Sequence, residues 1–147
     1  MKSIFAGIAT SLCVAGAALA QVNSPDLKWG PAPPVFPKGA EMAVLSGDPS
    51  KAGVFVIRLK FPAGYKVAAH HHPTDEYVTV IKGDMSLGMG DALDMKKGAS
   101  LKAGGFAMAP ANMSHFAWSK NGAVVQVSAE GPFAMTYVSP ADDPTKR

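Results

Sequence analysis

From residue 41 onward, apolar and polar side chains alternate over runs of four to eight residues, each run bounded by turn residues. A period of two sends successive side chains to opposite faces of a half-buried strand. The predicted strands cover 41–46, 54–61, 66–71, 76–82, 84–88, 106–109, 114–119, 123–129 and 135–138. Breaks between them fall at Gly47-Asp48-Pro49, Pro62-Ala63-Gly64, Lys82-Gly83-Asp84, Gly104-Gly105, Pro110-Ala111-Asn112 and Asn121-Gly122. Asn121-Gly122 between two apolar runs predicts a β-hairpin, because both central residues of that turn take positive φ. Only residues 93–102 allow a short helical period. Many short strands with turns every eight to twelve residues predict an all-β chain closed into a small sandwich or barrel.

The pattern changes at the N-terminus. Met1-Lys2-Ser3 opens with a positive charge, residues 4–17 are almost wholly small and apolar, and Ala18-Leu19-Ala20 precedes Gln21. This is the form of a secretory signal peptide over residues 1–20, cleaved at Ala20/Gln21. The apolar run is shorter than the roughly 20 residues that span a bilayer, so no membrane association is expected after cleavage. Export would place the chain in the periplasm or outside the cell. Residues 21–40 hold Pro25, Pro31, Pro33, Pro34 and Pro37 with Trp29 and Phe36 among them. Proline lacks an N–H and fixes φ, which forbids helix and predicts an extended arm docked by its two aromatics. Residues 41–140 form the expected single domain, and 141–147 a C-terminal tail.

Composition narrows the partners. The chain has 147 residues, one cysteine, and 14 Lys and Arg against 11 Asp and Glu. Cys13 leaves with the signal, so the mature chain has neither a disulfide nor a thiolate ligand. Loss of Lys2 brings the net charge near +2, too slight and dispersed for nucleic acid. A small-molecule substrate or ligand is the expected partner.

The candidate chemistry sits in His70-His71-His72-Pro-Thr-Asp-Glu76 and in His115, about forty residues later. Residues two apart on a strand share a face, so His70 and His72 can close on one ion while His71 points away. Three imidazoles and one carboxylate suit a divalent first-row cation and leave positions for water or substrate. The competing reading is an exposed histidine-rich loop, with His71 at the surface or behind the ligands. Asp75 and Tyr77 lie on the opposite phase and read as an exposed charge and a packed ring. Val78, Val80, Phe106, Met108 and Phe116 are the expected pocket lining. Met89, Met95, Met108 and Met113 suggest copper through their thioethers, but core packing is the commoner use of methionine.

The spaced residues closely resemble the cupin family, whose first motif is G-x5-H-x-H-x3,4-E-x6-G and whose second is G-x5-P-x-G-x2-H-x3-N. Gly64, His70, His72, Glu76 and Gly83 match every fixed position of the first. Gly104, Pro110 and His115 match the second, with Asn112 in place of its glycine and Ser119 in place of its asparagine. Asparagine tolerates the left-handed backbone best after glycine, so the turn can survive. The resemblance implies a double-stranded β-helix, a jelly-roll-like barrel, with His70, His72, Glu76 and His115 holding a metal inside its mouth. By family likeness manganese or iron comes first, with copper, zinc or nickel as alternatives. It further implies a metal-dependent oxygenase or oxidase, with isomerase and decarboxylase behind, and a homodimer paired through edge strands. Glu76 is the one identifiable acid or base, hence the candidate catalytic residue. A non-catalytic protein holding a metal or small ligand is the competing class.

Overall fold

The computed structural model describes residues 21–147, so the expected signal peptide lies outside the described residues. The described chain contains ten strands and no α-helix: β1 (Gly30–Pro31), β2 (Glu41–Ser46), β3 (Gly53–Phe61), β4 (Lys66–His71), β5 (Glu76–Met89), β6 (Ala99–Lys102), β7 (Phe106–Ala109), β8 (His115–Trp118), β9 (Ala123–Gly131) and β10 (Thr136–Tyr137). Single 3-10 turns occupy Ser24–Asp26, Pro140–Asp142 and Pro144–Lys146. No helix among the described residues is long and apolar enough to cross a membrane.

All pairing is antiparallel, in the order β1-β2-β3-β9-β5-β8-β4-β10, with β6 and β7 also on β5. β5 is the hinge of the barrel. Its first half pairs with β9 and β7, and its second half pairs with β6 and β8 on the facing sheet. The strand bends at Gly83, where φ is +81° and an added Cβ would strike the Gly122 carbonyl oxygen. The result is an all-β, curled antiparallel barrel.

Alternation on β3 and β9 supplies most of the core. Phe55, Ile57, Leu59 and Phe61 face Val125, Val127 and Ala129 of the neighbouring strand and Val78 and Val80 of β5. Each of the larger side chains contributes about 1.5–3 kcal/mol by leaving water, so this face fixes strand register. On β4 the pairing with β8 slips by one residue between Val67 and His70. This bulge changes the phase of the pleat, so that Val67 and His70, three residues apart, are both buried.

The proline-containing segment lies against the barrel. Leu27 and Phe36 are buried, and Phe36 stacks on Phe133 with ring centres 6.0 Å apart. Two of the segment's carbonyls accept from core tyrosines: Tyr65 Oη donates to Pro37 O at 2.6 Å and Tyr137 Oη to Val35 O at 2.9 Å. Carbonyls of a proline run have few backbone donors nearby, and the phenols satisfy them. Lys60 Nζ sits 5.7 Å from the Trp29 ring centre.

Several expectations need correction. Strands 76–82 and 84–88 are one continuous strand, because Gly83 lets the chain bend without leaving the ladder. Residues 93–102 form no helix; a turn leads into β6, whose backbone pairs with β5. Asn121-Gly122 does not close a hairpin, since β8 and β9 join opposite sheets and both pair with β5. Gly122 takes φ +93° but Asn121 does not adopt positive φ, and Asn121 Nδ2 instead donates to Asp84 at 2.9 Å. Phe106 and Met108 point outward, on the opposite phase of β7 from buried Ala109. Met89, Met95, Met108 and Met113 are all exposed, so none packs the core. Tyr77 is likewise exposed, stacked on Phe106 at 6.5 Å.

Candidate metal centre

β4 delivers His70, the residue beyond it delivers His72, β5 begins at Glu76 and β8 begins at His115. His70 and His115 are direct cross-strand partners, which places their side chains on one face of the sheet. His72 is brought alongside by the turn after β4. Ligating nitrogens of His70, His72 and His115 all lie within 4.8 Å of one another, and all three residues are buried. Their ring centres stand 4.3 to 5.2 Å apart. Glu76 closes the group: Oε1 is 3.7 Å from His72 Nε2 and Oε2 is 3.5 Å from His115 Nε2.

Backbone carbonyls fix the tautomer of each imidazole. His70 Nδ1 donates to Ala68 O at 2.7 Å, His72 Nδ1 to Ala134 O at 2.7 Å, and His115 Nδ1 to Met113 O at 3.0 Å. A carbonyl only accepts, so each Nδ1 carries hydrogen and each neutral ring keeps a lone pair on Nε2. This is the outer support that metal-bound histidines usually have. Nε2 of His72 and of His115 are buried without a hydrogen-bond partner. An unsatisfied buried polar atom costs about 1–3 kcal/mol, and a cation between the rings would satisfy both. The residues therefore fit a divalent metal.

The proton equilibria favour neutral imidazole at His70 and His72, the form that can bind a metal. Burial pushes His70 down to about 3, with repulsion from His115 and His72 acting the same way. Burial also lowers His72, against the attraction of Glu76. For Glu76, burial would raise the carboxyl, but the adjacent imidazoles of His115, His72 and His70 outweigh it and the net shift is downward. His115 goes up: burial opposes its charge, and contact with Glu76 overcomes that. Glu76 and His115 thus each favour the other's charged form.

Beneath the imidazoles lies a cavity of about 30 Å³, walled by Val67, Val78, Leu87, Val125 and Val127, with Phe36 also lining it. That volume holds a water or an equally small molecule. Of the expected lining, Val78 borders this cavity, Val80 and Phe116 are buried, and Phe106 and Met108 face solvent.

The turn before His115 explains how the second motif survives its substitutions. Asn112 has φ +60°, the position that favours glycine or asparagine. Ser119, buried at the far end of β8, accepts from Gly122 N at 2.9 Å through Oγ and serves the crossing between sheets. His71 is half-buried, off the face shared by its neighbours, and its Nδ1 has no partner. Asp75, just before β5, accepts from Ala111 N at 2.8 Å and borders an outer groove with Val54 and Tyr77, not the cavity under the imidazoles.

A family profile described as a domain of unknown function (DUF4437) matches residues 14–136. The chain belongs to this cupin-like family. Solved structures share the fold of this DUF4437 protein. The polyketide cyclase RemF from Streptomyces resistomycificus superposes with a TM-score of 0.72 at 16% identity, covering 86% of this chain and 90% of that one. A putative acetylacetone dioxygenase from Methylibium petroleiphilum gives 0.65 at 23% identity, covering 87% and 86%. An RmlC-like cupin from Shewanella frigidimarina gives 0.58 at 14% identity, covering 77% and 91%. No curated protein matches the sequence. The fold is that of the cupins, and relatives of this shape include enzymes on small molecules.

Sequence reasoning missed the carbonyls of Ala68, Met113 and Ala134, because backbone groups leave no residue-type signal. Two of them lie two residues before the histidine they hold, a spacing that could have been noticed. Ala134 has no such signal, since it reaches His72 from 62 residues away. Phe133, with its ring centre 5.2 Å from that of His72, arrives by the same segment.

Proposed function

We propose that this protein is an exported metal-binding cupin in which His70, His72, His115 and Glu76 hold one divalent first-row cation. The single observation that carries the reading is the pair of buried Nε2 atoms without partners, on rings whose Nδ1 atoms are already fixed. The reaction class that suits the site best is a metal-dependent oxidation or oxygenation of a small organic molecule. The bound cation would supply Lewis acidity, and redox chemistry if it is manganese, iron or copper. The chain's own part is to orient the three lone pairs, to exclude bulk water with apolar walls, and to hold or release a proton at Glu76. Glu76 contacts His72 and His115, so its protonation follows occupancy of the centre. Isomerisation or decarboxylation would use the same ligands without redox change.

The competing reading is a protein that binds metal without turnover. The narrow cavity of about 30 Å³ favours it, because an organic substrate would have to approach from the rim or displace a wall. Two measurements decide. Elemental analysis of protein recovered from its exported location should give one equivalent of a transition metal, falling several-fold in His72→Ala; unchanged stoichiometry in that variant removes the proposed site. Oxygen consumption with a panel of carbonyl and phenolic compounds then separates catalysis from storage. The mature chain should begin at Gln21, which N-terminal sequencing reads directly.

A further inference from the structure

We propose a second binding site, outside the barrel, for a small organic anion with an apolar body. A groove of about 750 Å³ runs between the proline segment, β4 and the C-terminal residues. Its size lies within the range of about 300–1,000 Å³ typical of small-molecule sites. The walls are apolar, with Pro34, Phe36 and Leu93 among them, and Lys38, Lys66 and Arg147 border the same space. The one acidic side chain of the lining is Asp142, whose Oδ1 lies 3.8 Å from Arg147 Nη2. Lys38 and Lys66, like the lysines at 28, 82, 96, 102 and 120, form no ion pair among the described residues, and these two border the same apolar groove. Two uncompensated ammonium groups beside an apolar cleft select one negative charge attached to a ring or hydrocarbon chain. A bare inorganic anion would leave the walls wet, and a neutral ligand would leave the charges unanswered.

The site is independent of the metal reading, yet adjoins it. Phe36 lines both the outer groove and the inner cavity, and Ala68 of the groove offers the carbonyl that fixes His70. An anion in the groove would therefore lie against the wall of the metal chamber.

The test uses the full mature chain, zinc-free and zinc-loaded, titrated with 2-naphthoate and with its neutral isostere 2-naphthamide while amide resonances are followed by NMR. Saturable shifts centred on Lys38, Lys66 and Leu93 are expected with naphthoate, with at least fivefold weaker binding of naphthamide. The double variant Lys38→Gln/Lys66→Gln changes two exposed side chains and should weaken naphthoate at least fivefold while leaving naphthamide unchanged. Equal binding of the two probes, shifts confined to the surroundings of His72 and Glu76, no saturable shift, or an unaltered double variant would each overturn the proposal. His72→Ala should lose zinc and keep the groove, so failure of metal uptake and failure of anion binding are read separately.

Discussion

The backbone N–H of Asn112 donates to the carbonyl oxygen of His72 at 2.7 Å. One bond thus ties the turn that aims His115 to the segment that carries His72. The two motifs are far apart in sequence, and this contact sets their spacing at the centre. It also depends on the left-handed backbone of Asn112, where φ is +60°.

Asn112→Gly should leave stability and metal content nearly unchanged, since glycine adopts this conformation freely. Asn112→Val should cost about 1–2 kcal/mol through its β-branched side chain at positive φ. It should also reduce metal stoichiometry. Urea midpoints with elemental analysis check both; a valine variant that binds metal normally would separate the turn from the centre.

Glu76→Gln keeps the size of the side chain and removes its charge. With no anion beside His72 and His115, affinity for zinc should drop by at least about tenfold, measured by competition with a chromophoric chelator. His115 should lose the partner that raises its proton affinity, and its ring resonances should titrate at lower pH than in the parent. Unchanged zinc affinity would exclude the carboxylate from the ligand set.

Acid should destabilise the metal-free protein through His70. Its folded pKa is pushed down to about 3, below the ordinary 6.5, so between those values the unfolded chain binds the extra proton. Stability is then fully present above about pH 6.5 and is lost as pH falls toward about 3. His72 shifts in the same direction and adds to the slope. His115, raised by Glu76, acts with the opposite sign and loses its contribution as pH rises. Urea midpoints at successive pH values should fall on acidification, with a shallower slope in His70→Gln; parallel slopes would contradict the assignment.

Gly83→Ala should be among the most damaging single changes. The position has φ +81° and no room for a Cβ against the Gly122 carbonyl, and β5 must bend there to serve both sheets. A loss of about 2 kcal/mol or more follows from backbone strain and collision together. A melting temperature within a degree or two of the parent would show that the crossing tolerates a side chain.

Much of this architecture was legible because alternation has a physical cause. The strands at 41–46, 66–71 and 106–109 coincide with the observed ones, since one face of each meets the core or its edge. The convergence of His70, His72 and His115 followed from spaced residues resembling two cupin motifs, and Asn112 was readable as a left-handed turn. Partner choice was less legible. The Asn121-Gly122 signal is local, and a local signal cannot say whether two strands join one sheet or two. The outward methionines escaped for a related reason: side-chain type reports hydrophobicity but not which phase of a strand faces in.

The sequence by itself determined the β-rich class, most of the turn positions and the donor types at 70, 72, 76 and 115, because these depend on neighbours along the chain. Only the tertiary structure decided which strands pair, how a one-residue slip in β4 turns His70 inward, and which carbonyls fix the imidazoles. Those depend on closure of two sheets over a shared apolar interior, where groups distant in sequence compete for the same space and the same hydrogen bonds.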